Sequence, residues 1–437
     1  MSANGAMRRV LFVTPHFPPD SSAATHRVRL LAPHISAHGW DPTVLTVDSR
    51  DYEGRLDPAL AASVPANLRV VRARAWPASV TRRFGVGDLG LRAYRGLKRE
   101  ARRLLARERF DAVFITIYPS YPALLGPALK REYGVAFVLD YQDPWVGEWG
   151  RSVGPAAEGQ PDTKSRASRW IAERLEPIAL TAADGVTAVS RATYEQALAR
   201  NPAARPRATA ELPIGWDRGD LDHVAPSAPR FADDGCVHVS YVGTLLPAGF
   251  ETLRALLAAL AAERTRTGSV ASRIRLHFFG TSNLRSAEAS PRALPIAAEY
   301  GLADIVTEHA PRLDYFDALA VLRASNAVLL LGSRERHYTP SKVFPALVAE
   351  RPVLALIHEA SNAADLLQQL GGAPTIRLVT YGDEGAAARG GEISAALASI
   401  AAKPSYQREA IDITALEPTS ACALAGRLAG LLDKCVA

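Results

Sequence analysis

Residues 10–47 read "VLFVTPHFPPDSSAATHRVRLLAPHISAHGWDPTVLTV", a stretch in which two short apolar runs flank a helical pattern. The runs "RVLFVT" and "DPTVLTV" are rich in β-branched residues and predict strands. Between them, "HRVRLLAPHISAHG" predicts a helix that ends at Gly39, because glycine readily adopts the left-handed conformation of a helix terminus. A strand, a helix and a second strand in this order predict a parallel sheet covered by helices.

The same alternation continues along nearly the whole chain. The first half adds the predicted strands "LRVVRA", "DAVFITI", "AFVLDY" and "GVTAVS", and the second half gives "VHVSYVGT", "RIRLHFFGT", "DIVTEHA", "NAVLLLG", "RPVLALI" and "TIRLVTY". We therefore predict an α/β fold of two Rossmann-like, doubly wound parallel-sheet domains that face a central cleft. Ligands of such sheets bind beyond the carboxyl ends of the strands, so we expect function in the loops that follow them.

The length of 437 residues and the 48% hydrophobic content also favour two domains, each of roughly 200 residues. After Trp216 the polar segment "DRGDLDHVAPSAPRFADDGC" has no periodicity and is typical of a linker. We predict an N-terminal domain at residues 1–216, a linker at 217–235 and a C-terminal domain at 236–415. Residues 416–437 predict a last helix that could pack back on the N-terminal domain.

Composition limits the class of protein. The longest apolar runs are far shorter than the ~20 residues that cross a bilayer, and the N-terminal residues lack the layout of a signal peptide. We therefore expect a soluble, cytoplasmic protein. The three cysteines, Cys236, Cys422 and Cys435, form no CxxC pair and have no metal-ligand spacing, so we expect thiols rather than metal ligands.

The net charge of +6 is concentrated in one segment. Residues 82–109 hold ten arginines and lysines against three acidic residues. Taken as a helix from about Leu91, this segment has one apolar stripe and a basic remainder; the stripe is formed by Leu91, Tyr94, Leu97, Leu104 and Leu105. Two interpretations remain open: a solvated basic helix, or a patch drawn to anionic lipid headgroups. Nucleic acid is not expected, because no aromatic residues are interleaved for base stacking.

The strongest local motif is "YTPSK", residues 338–342, which follows the predicted strand "NAVLLLG". Thr339 is a good N-cap, Pro340 fits the first helical position, and Ser341 and Lys342 then occupy the first turn. Free backbone N–H groups, the helix dipole, a hydroxyl and an ammonium would converge there, which suits an anion such as a diphosphate. The alternative is a capped helix with an exposed lysine.

The whole chain resembles the family 4 retaining nucleotide-sugar glycosyltransferases of GT-B fold. The resemblance rests on the order of several motifs: the opening residues 10–47, "DYQDPW" (Asp140–Trp145), "ADGVTAVS", "LPIGWD", "VSYVGTLL" and "PSKVFPALVAERPVLAL". It implies transfer of a sugar, with retention, from a nucleotide-diphosphate sugar on the C-terminal domain to an acceptor on the N-terminal domain. It also implies no cofactor and no metal ion, since helix dipoles and basic side chains carry the charge of the leaving diphosphate.

The resemblance assigns donor contacts to the C-terminal domain. Diphosphate contacts are expected from Ser341 and Lys342, with Gly243 and Thr244 in a loop that approaches the diphosphate closely. The remaining donor contacts are expected from Glu335, Tyr338 and Thr339, and the base pocket from Asn283 and Arg312, which follow donor-domain strands.

Several positions depart from the family pattern. The family usually places two glutamates eight positions apart around the donor-gripping helix, and here those positions hold His337 and Pro345. Glu335 is near enough in sequence to reach the same pocket, and whether it replaces them is open. Thr244 stands where the family often has an arginine, so Lys342 is expected to be the principal positive partner of the phosphates.

In the N-terminal domain we predict two catalytic residues. Asp143 follows the strand "AFVLDY" and His16 follows the first strand, so both lie where doubly wound folds place chemistry. Acceptor contacts are expected from Ser21, Ser22, Arg27 and Trp145. For Asp143 the alternative is an aspartate that caps the turn before Pro144, and for Trp145 it is packing in the core.

The predicted function is a metal-independent glycosyltransferase of bacterial surface-polysaccharide or natural-product glycosylation. Its partners would be a nucleotide sugar, a lipid-linked or small-molecule acceptor and an anionic membrane surface reached through residues 82–109. Two alternatives remain open: a non-catalytic GT-B binding or scaffold protein, suggested by the missing glutamates, and a sugar-nucleotide epimerase with the same two-domain layout.

Overall fold

The structure is a computed structural model that describes residues 7–54, 56–146, 163–224, 231–266, 268–282, 289–333 and 342–437. The chain divides into two compact units. The first unit is Met1–Gly215 together with Thr419–Ala437, and the second unit is Trp216–Pro418.

The first unit is built on a parallel sheet in the order β3-β2-β1-β4-β5-β6-β7. Its strands are β1 (Arg8–Val13), β2 (Trp40–Val47), β3 (Arg69–Ala73), β4 (Ala112–Ile117), β5 (Ala136–Tyr141), β6 (Gly185–Ala188) and β7 (Ala208–Glu211). Six of these strands were expected from the apolar runs. The strand β7 was not, because its sequence "ATAE" is short and only half apolar.

Helices cover both faces of this sheet. They are α1 (Thr25–Leu31), α2 (Pro58–Ala62), α3 (Ala78–Thr81), α4 (Leu89–Arg107), α5 (Leu125–Tyr133), α6 (Thr163–Leu180) and α7 (Arg191–Arg200). Because side chains alternate along a strand, Val10 and Phe12 of β1 enter one core and Leu11 and Val13 enter the other.

The second unit repeats the plan with a parallel sheet in the order β10-β9-β8-β11-β12-β13. Its strands are β8 (Val237–Val242), β9 (Ile274–Phe279), β10 (Val306–His309), β11 (Ala327–Leu331), β12 (Val353–His358) and β13 (Ile376–Tyr381), and its helices are α8 (Phe250–Thr265), α9 (Ala293–Glu299), α10 (Tyr315–Ala324), α11 (Val343–Val348), α12 (Asn362–Leu370) and α13 (Gly390–Ala402). The prediction of two doubly wound parallel-sheet domains is confirmed.

The last helix, α14 (Ala421–Val436), belongs to the first unit although it follows the second in sequence. Its apolar side, which includes Leu424, Leu428 and Leu432, is buried against the sheet in the core that contains Val10 and Phe12. Burial of each leucine contributes about 1.5–3 kcal/mol relative to exposure, so α14 adds substantially to the stability of the first unit.

The helix predicted after β1 is interrupted. The α-helix α1 ends at Leu31, and a separate 3-10 turn runs from Ile35 to His38 before Gly39, whose φ of 85° closes the turn. Pro33 explains the interruption, because proline has no N–H to donate and its ring clashes with the preceding helical turn.

The basic segment forms α4, which begins at Leu89 with Asp88 as its N-cap. Leu97 and Leu104 are buried as predicted, but Leu91 is 40% exposed and does not join the apolar stripe. The predicted stripe contained only large apolar residues. In the structure, part of the buried side of α4 is formed by two small residues and one charged residue, which are Ala93, Ala101 and Arg92.

The predicted linker is partly structured within the second unit. Arg218–His223 form a 3-10 helix, and the buried carboxylate of Asp220 accepts a hydrogen bond of 2.8 Å from the hydroxyl of Tyr315. The polar composition of this segment therefore reflects capping and hydrogen bonding, and the prediction of an independent linker over 217–235 is corrected for these residues. Among the described helices, none is long and apolar enough to cross a membrane.

Candidate active site

The carboxyl edge of the first sheet carries one of the two predicted catalytic residues in a well-defined setting. His16 follows β1 and Tyr118 follows the neighbouring strand β4, and their ring centroids are 6.2 Å apart. The ring of Tyr52 stacks on the imidazole, with the ring centroids 6.3 Å apart and an angle of 9° between the planes. Two tyrosines are thus neighbours of the histidine ring at the edge where doubly wound sheets bind ligands.

The carboxylate of Asp20 orients this ring. Oδ2 of Asp20 lies 2.9 Å from Nδ1 of His16, and it also accepts hydrogen bonds from the hydroxyls of Ser22 at 2.5 Å and Thr25 at 2.7 Å. Burial would raise the pKa of Asp20, but the hydrogen bonds and the charge of His16 outweigh it and hold this pKa below the usual range of an aspartate. An ionised carboxylate only accepts hydrogen bonds, so Nδ1 carries the proton and Nε2 is left for a ligand.

The loop that carries His16 is held by the hydroxyl of Tyr52. This oxygen lies 3.0 Å from the carbonyl oxygen of Pro15 and 3.2 Å from that of Phe17, and it accepts a hydrogen bond from the N–H of Phe17. Burial raises the pKa of Tyr52, so the hydroxyl keeps its proton. The backbone on both sides of His16 is therefore fixed.

Neither Asp20 nor Tyr52 was predicted as a site residue. The spacing of four residues between His16 and Asp20 is visible in the sequence, but it does not indicate a pair in a loop that contains three prolines. Tyr52 follows the carboxyl end of β2, the strand next to β1, but the sequence alone does not indicate that it contacts His16.

Asp143, the other predicted catalytic residue, follows β5 at the same edge and is exposed. Enough protein surrounds its carboxyl group to raise the pKa of Asp143 by desolvation. Among the described residues, no hydrogen bond or ring contact joins Asp143 to His16. The structure therefore puts the two residues on one sheet edge but not in direct contact.

The predicted acceptor contacts are largely used within the first unit. Ser21 is buried, and the hydroxyl of Ser22 is committed to Asp20. Trp145 is only 4% exposed and belongs to the core beneath α4 and α5, so the prediction that it forms a platform for the acceptor is corrected in favour of packing.

Arg27 is a second correction. It is 1% exposed, and its Nε lies 2.9 Å from Oδ2 of the fully buried Asp140 on β5. Its two terminal nitrogens donate to the carbonyl oxygens of Leu212 at 2.6 Å and Pro213 at 3.0 Å. All three nitrogens of the guanidinium thus lie close to internal partners. Arg27 links α1 and β5 to the segment after β7 instead of reaching an acceptor.

The second unit brings three of the predicted donor residues together. The ammonium of Lys342 donates to the carbonyl oxygen of Thr244 at 2.5 Å and to the hydroxyl of Tyr241, and it lies 4.5 Å from the centroid of the Tyr241 ring. The side chain crosses Gly243, where a Cβ would lie 2.6 Å from Cε of Lys342. Gly243 has a φ of 123°, so both the backbone and the lysine require glycine here.

The ammonium of Lys342 is buried. Among the described residues no carboxylate forms an ion pair with it, and burial lowers its pKa to about 7. The described contacts of the ammonium are therefore dipoles and a π face, which favours the binding of an anion beside it. Tyr241 was not predicted as a site residue, because its position inside an apolar strand is typical of the core.

Loops from three neighbouring strands meet next to Lys342. A Cβ on Gly280, which follows β9, would lie 3.6 Å from Cα of Arg312 and 3.9 Å from Cα of Gly243. Arg312 follows β10, so the structure brings this predicted base-pocket residue to the same edge as the Gly243 loop. This edge contains two glycines and an arginine. Because glycine has no side chain, the backbone there can approach a bound ligand closely.

The remaining predicted donor residues lie outside the described residues. These are Asn283, Glu335, Tyr338, Thr339 and Ser341. The described part of the predicted phosphate-binding helix is α11, a helix of six residues that begins at Val343 directly after Lys342. In the described ranges no group of three or more histidine, cysteine, aspartate or glutamate side chains is arranged to hold a metal ion.

Two parallel-sheet units with ligand loops at the carboxyl edges define the GT-B class of fold, and solved structures share it over nearly the whole chain. Sucrose-phosphate synthase from Thermosynechococcus elongatus is 17% identical, with a TM-score of 0.59 over 97% of this chain and 98% of that one. Anabaena HepE in complex with UDP-glucose is 14% identical, with a TM-score of 0.56 over 97% and 99%. A UDP-forming α,α-trehalose-phosphate synthase from Burkholderia vietnamiensis is 12% identical, with a TM-score of 0.61 over 98% of each chain. The predicted GT-B fold is confirmed.

The family follows from sequence. Residues 22–215 match the family described as glycosyl transferase 4-like domain, so the first unit belongs to that family. The chain is a glycosyltransferase, and the predicted relationship to the family 4 enzymes is confirmed. A search of curated proteins finds no relative that matches the sequence.

Proposed function

We propose that this glycosyltransferase moves a sugar, with retention of configuration, from a nucleotide-diphosphate sugar to an acceptor hydroxyl. The observation that carries the donor assignment is the buried ammonium of Lys342 against the Gly243 loop; it has no ion-pair partner in the described part of the chain, and burial lowers its pKa to about 7. A diphosphate placed beside it supplies negative charge, and the gain is large because the ammonium is already desolvated. The HepE structure that contains UDP-glucose supports a uridine diphosphate sugar as the first donor to test.

We assign each loop around Lys342 to a different part of the donor. The Gly243 loop and the Gly280 loop present backbone to the diphosphate and ribose, and Arg312 reaches the nucleotide base. The donor sugar is left to residues 335–341, with Glu335 in place of the glutamates that the family pattern would supply. This division follows the convergence of the three loops at one sheet edge.

The chemistry requires little from the protein beyond charge stabilisation and positioning. The bond between the anomeric carbon and the diphosphate oxygen breaks, and its electron pair leaves with the diphosphate. The acceptor oxygen forms the new bond on the same face, and the departing phosphate takes the proton of the acceptor hydroxyl. Lys342 and the neighbouring N–H groups stabilise the leaving diphosphate, so the step needs no metal ion and no protein nucleophile.

The first unit supplies the acceptor side. Nε2 of His16 has no partner among the described residues, and Nδ1 is occupied by Asp20, so the ring is oriented to hydrogen-bond a substrate hydroxyl. Asp143, with its pKa raised, provides a second polar contact at the same sheet edge. Orientation of the acceptor hydroxyl is worth several orders of magnitude in rate when the reacting atoms are aligned.

The setting we propose is bacterial surface-polysaccharide or natural-product glycosylation, in the cytoplasm and at the inner face of the membrane. The acceptor is lipid-linked or a small molecule. The net positive charge in residues 82–109 and the absence of a membrane-crossing helix among the described residues support a peripheral attachment.

A panel of nucleotide sugars tests the donor assignment. Each donor is added to the protein, and both the thermal midpoint and slow donor hydrolysis are measured, for the parent, for Lys342→Met and for the matched control Lys403→Met, whose side chain is exposed at the end of α13. We expect one class of donor to raise the midpoint of the parent and the control, and to have a much smaller effect on Lys342→Met.

Two outcomes would contradict the proposal. If no nucleotide diphosphate stabilises the protein and Lys342→Met behaves as the parent, the chain is a binding or scaffold protein. If the free donor is isomerised without an acceptor, the chain is an epimerase. The anomeric configuration of the product, read from its NMR coupling constant, tests retention separately.

A further inference from the structure

Three large apolar side chains are exposed close together in the sequence of the first unit. Trp76 is 53% exposed, Val80 is 51% exposed and Phe84 is 80% exposed. Val80 lies in α3, and Phe84 ends the 3-10 turn Arg82–Phe84 that follows α3 directly. We call Trp76, Val80 and Phe84 the apolar rim. Exposed apolar groups of this size in one segment mark an interaction surface.

Three arginines lie near members of the apolar rim, in sequence or in space. Arg82 and Arg83 lie between Val80 and Phe84 in sequence and are exposed, and the guanidinium of Arg95 lies 5.2 Å from the ring centroid of Trp76. Arg83 has no ion-pair partner among the described residues, whereas Arg82 pairs with Glu53 at 2.8 Å. Aromatic side chains combined with arginines match the boundary between acyl chains and headgroups of an anionic bilayer.

Several other basic side chains of residues 82–109 are less available for lipid contact than the sequence indicates. Arg92 is buried and donates to the carbonyl oxygens of Trp76 and Asp51. Farther along α4, three arginines form ion pairs with Glu100 or Glu132: Arg99, Arg102 and Arg103. Four basic side chains of α4 therefore have internal partners, whereas Arg83 and Arg95 are exposed in the turn before α4 and in its N-terminal half.

This end of α4 is next to the candidate acceptor edge. A side chain at Gly90 would lie 2.6 Å from Cγ of Pro119, and Pro119 follows Tyr118, which contacts His16. Trp76 comes shortly after β3, at the same carboxyl edge of the sheet. A surface that rests on the apolar rim would thus be adjacent to the side chains that we assign to the acceptor.

We propose that the apolar rim docks the first unit on an anionic lipid bilayer, and that the acceptor is a lipid-linked molecule presented from that bilayer. Trp76, Val80 and Phe84 enter the headgroup region, and Arg83 with Arg95 contacts lipid phosphates. Charge complementarity selects a membrane over a protein partner, because the exposed cations flank the apolar groups as headgroup phosphates would require. The lipid-linked acceptor rests on the proposed function, whereas the docking surface does not.

Vesicle sedimentation tests the docking. The full-length protein is mixed with vesicles of phosphatidylcholine alone or with phosphatidylglycerol added, and the bound fraction is measured at low and high salt. We expect binding only to the anionic vesicles and a decrease with salt. Arg83→Glu should weaken the partition at least about fivefold, since each basic residue near such a surface contributes about 1 kcal/mol. Trp76→Ser with Phe84→Ser should abolish most of the binding.

Two matched controls make the test specific. Arg107→Glu makes the same charge change at the other end of α4, about 25 Å away by the rise of the helix. Trp170→Ser removes another exposed tryptophan, which is 55% exposed. The guanidinium of Arg174 lies 3.7 Å from the centroid of its ring, so this site also combines a tryptophan with an arginine. Both controls should bind anionic vesicles as the parent does. All substituted side chains are exposed, and unchanged thermal midpoints will show that the variants are folded.

The outcomes separate the docking surface from the enzymatic proposal. Equal binding to both kinds of vesicle, or loss of binding by Trp170→Ser but not by the rim variant, would overturn the docking surface. Self-association that the rim variant removes, without vesicle binding, would assign the rim to a second copy of the chain. Stabilisation of the rim variant by the nucleotide sugar, measured without vesicles, should equal that of the parent; if the parent binds vesicles but no donor, the proposed function fails and the docking surface stands.

Discussion

Oδ2 of Asp20 lies 2.9 Å from Nδ1 of His16, and the same oxygen accepts hydrogen bonds from Ser22 and Thr25. The carboxylate is therefore both charged and fixed in place before it meets the imidazole. This arrangement holds the ring in one orientation with Nδ1 protonated, and it directs Nε2 to whatever ligand occupies the sheet edge.

Replacement of Asp20 by asparagine should impair transfer while leaving the fold intact. The amide has nearly the same shape but no charge, so the ring loses a charge-assisted hydrogen bond that is worth about 1.5–3 kcal/mol. We expect kcat to fall about 10- to 100-fold, with little change in donor affinity, because the donor is assigned to the second unit. Asp41→Asn, at an exposed aspartate paired with Arg9, is the matched control and should keep parental activity. Parental kcat in a folded Asp20→Asn variant would show that His16 needs no partner.

The pKa of Lys342 predicts how donor binding depends on pH. This pKa is lowered to about 7 in the free protein, and a bound diphosphate raises it by favouring the charged form. Above pH 7 donor binding must therefore take up a proton, and affinity should fall as pH rises, by up to about tenfold per unit until the pKa of the complex is reached. Titration calorimetry with UDP-glucose as the first probe, in buffers of different ionisation enthalpy, measures the proton uptake directly.

Lys342→Met should bind more weakly and should lose this pH dependence, because no titrating ammonium remains beside the diphosphate. Lys403→Met should keep both the affinity and the slope. A parental affinity that is flat from about pH 7 to about pH 9 would mean that Lys342 is not the group that meets the donor charge.

Gly243→Ala should disturb the donor site through two effects that can be separated. The new methyl group requires an unfavourable backbone conformation at φ 123°, and it collides with Cε of Lys342. Gly301→Ala is the matched control, because Gly301 also has a positive φ of 66° but a Cβ there meets nothing within 4 Å. Both variants should lose about 1–2 kcal/mol of stability from backbone strain. Only Gly243→Ala should also lose donor affinity, by at least about tenfold; equal affinities would mean that Lys342 moves aside without consequence.

The fold could be predicted from the sequence because buried strands of a parallel sheet are recognisable from their local composition. Runs such as "AVLLL" of β11 and "VLALIH" of β12 are buried on both faces of a parallel sheet, so their composition alone identifies them. The contact of Lys342 with Gly243 was also within reach, because both residues sit in motifs that follow strands.

The roles of Arg27 and Trp145 could not be obtained in the same way. An arginine beside a predicted loop is usually exposed, and its burial depends on Asp140, which lies more than a hundred positions away in the sequence and on a different strand. Trp145 follows a strand at the functional edge, yet its ring turns into the core. Sequence position indicates which edge a residue is near, but long-range packing decides which way its side chain points.

The pair formed by Arg27 and Asp140 gives a last prediction, on stability. Both side chains are almost fully buried, and Thr187 donates a further hydrogen bond of 2.8 Å to the carboxylate. Arg27→Met leaves a buried carboxylate without its cation and should cost about 3–5 kcal/mol in the free energy of unfolding. Arg27→Met combined with Asp140→Asn removes both charges, so it should be less destabilised than Arg27→Met alone. Urea denaturation measures these differences, and Arg8→Met, which breaks the exposed pair of Arg8 with Asp433, should have only a small effect. If the double variant were as unstable as Arg27→Met, the stabilisation would come from the hydrogen bonds of Arg27 to Leu212 and Pro213. The role of Arg27 would then be to hold the segment after β7 in place.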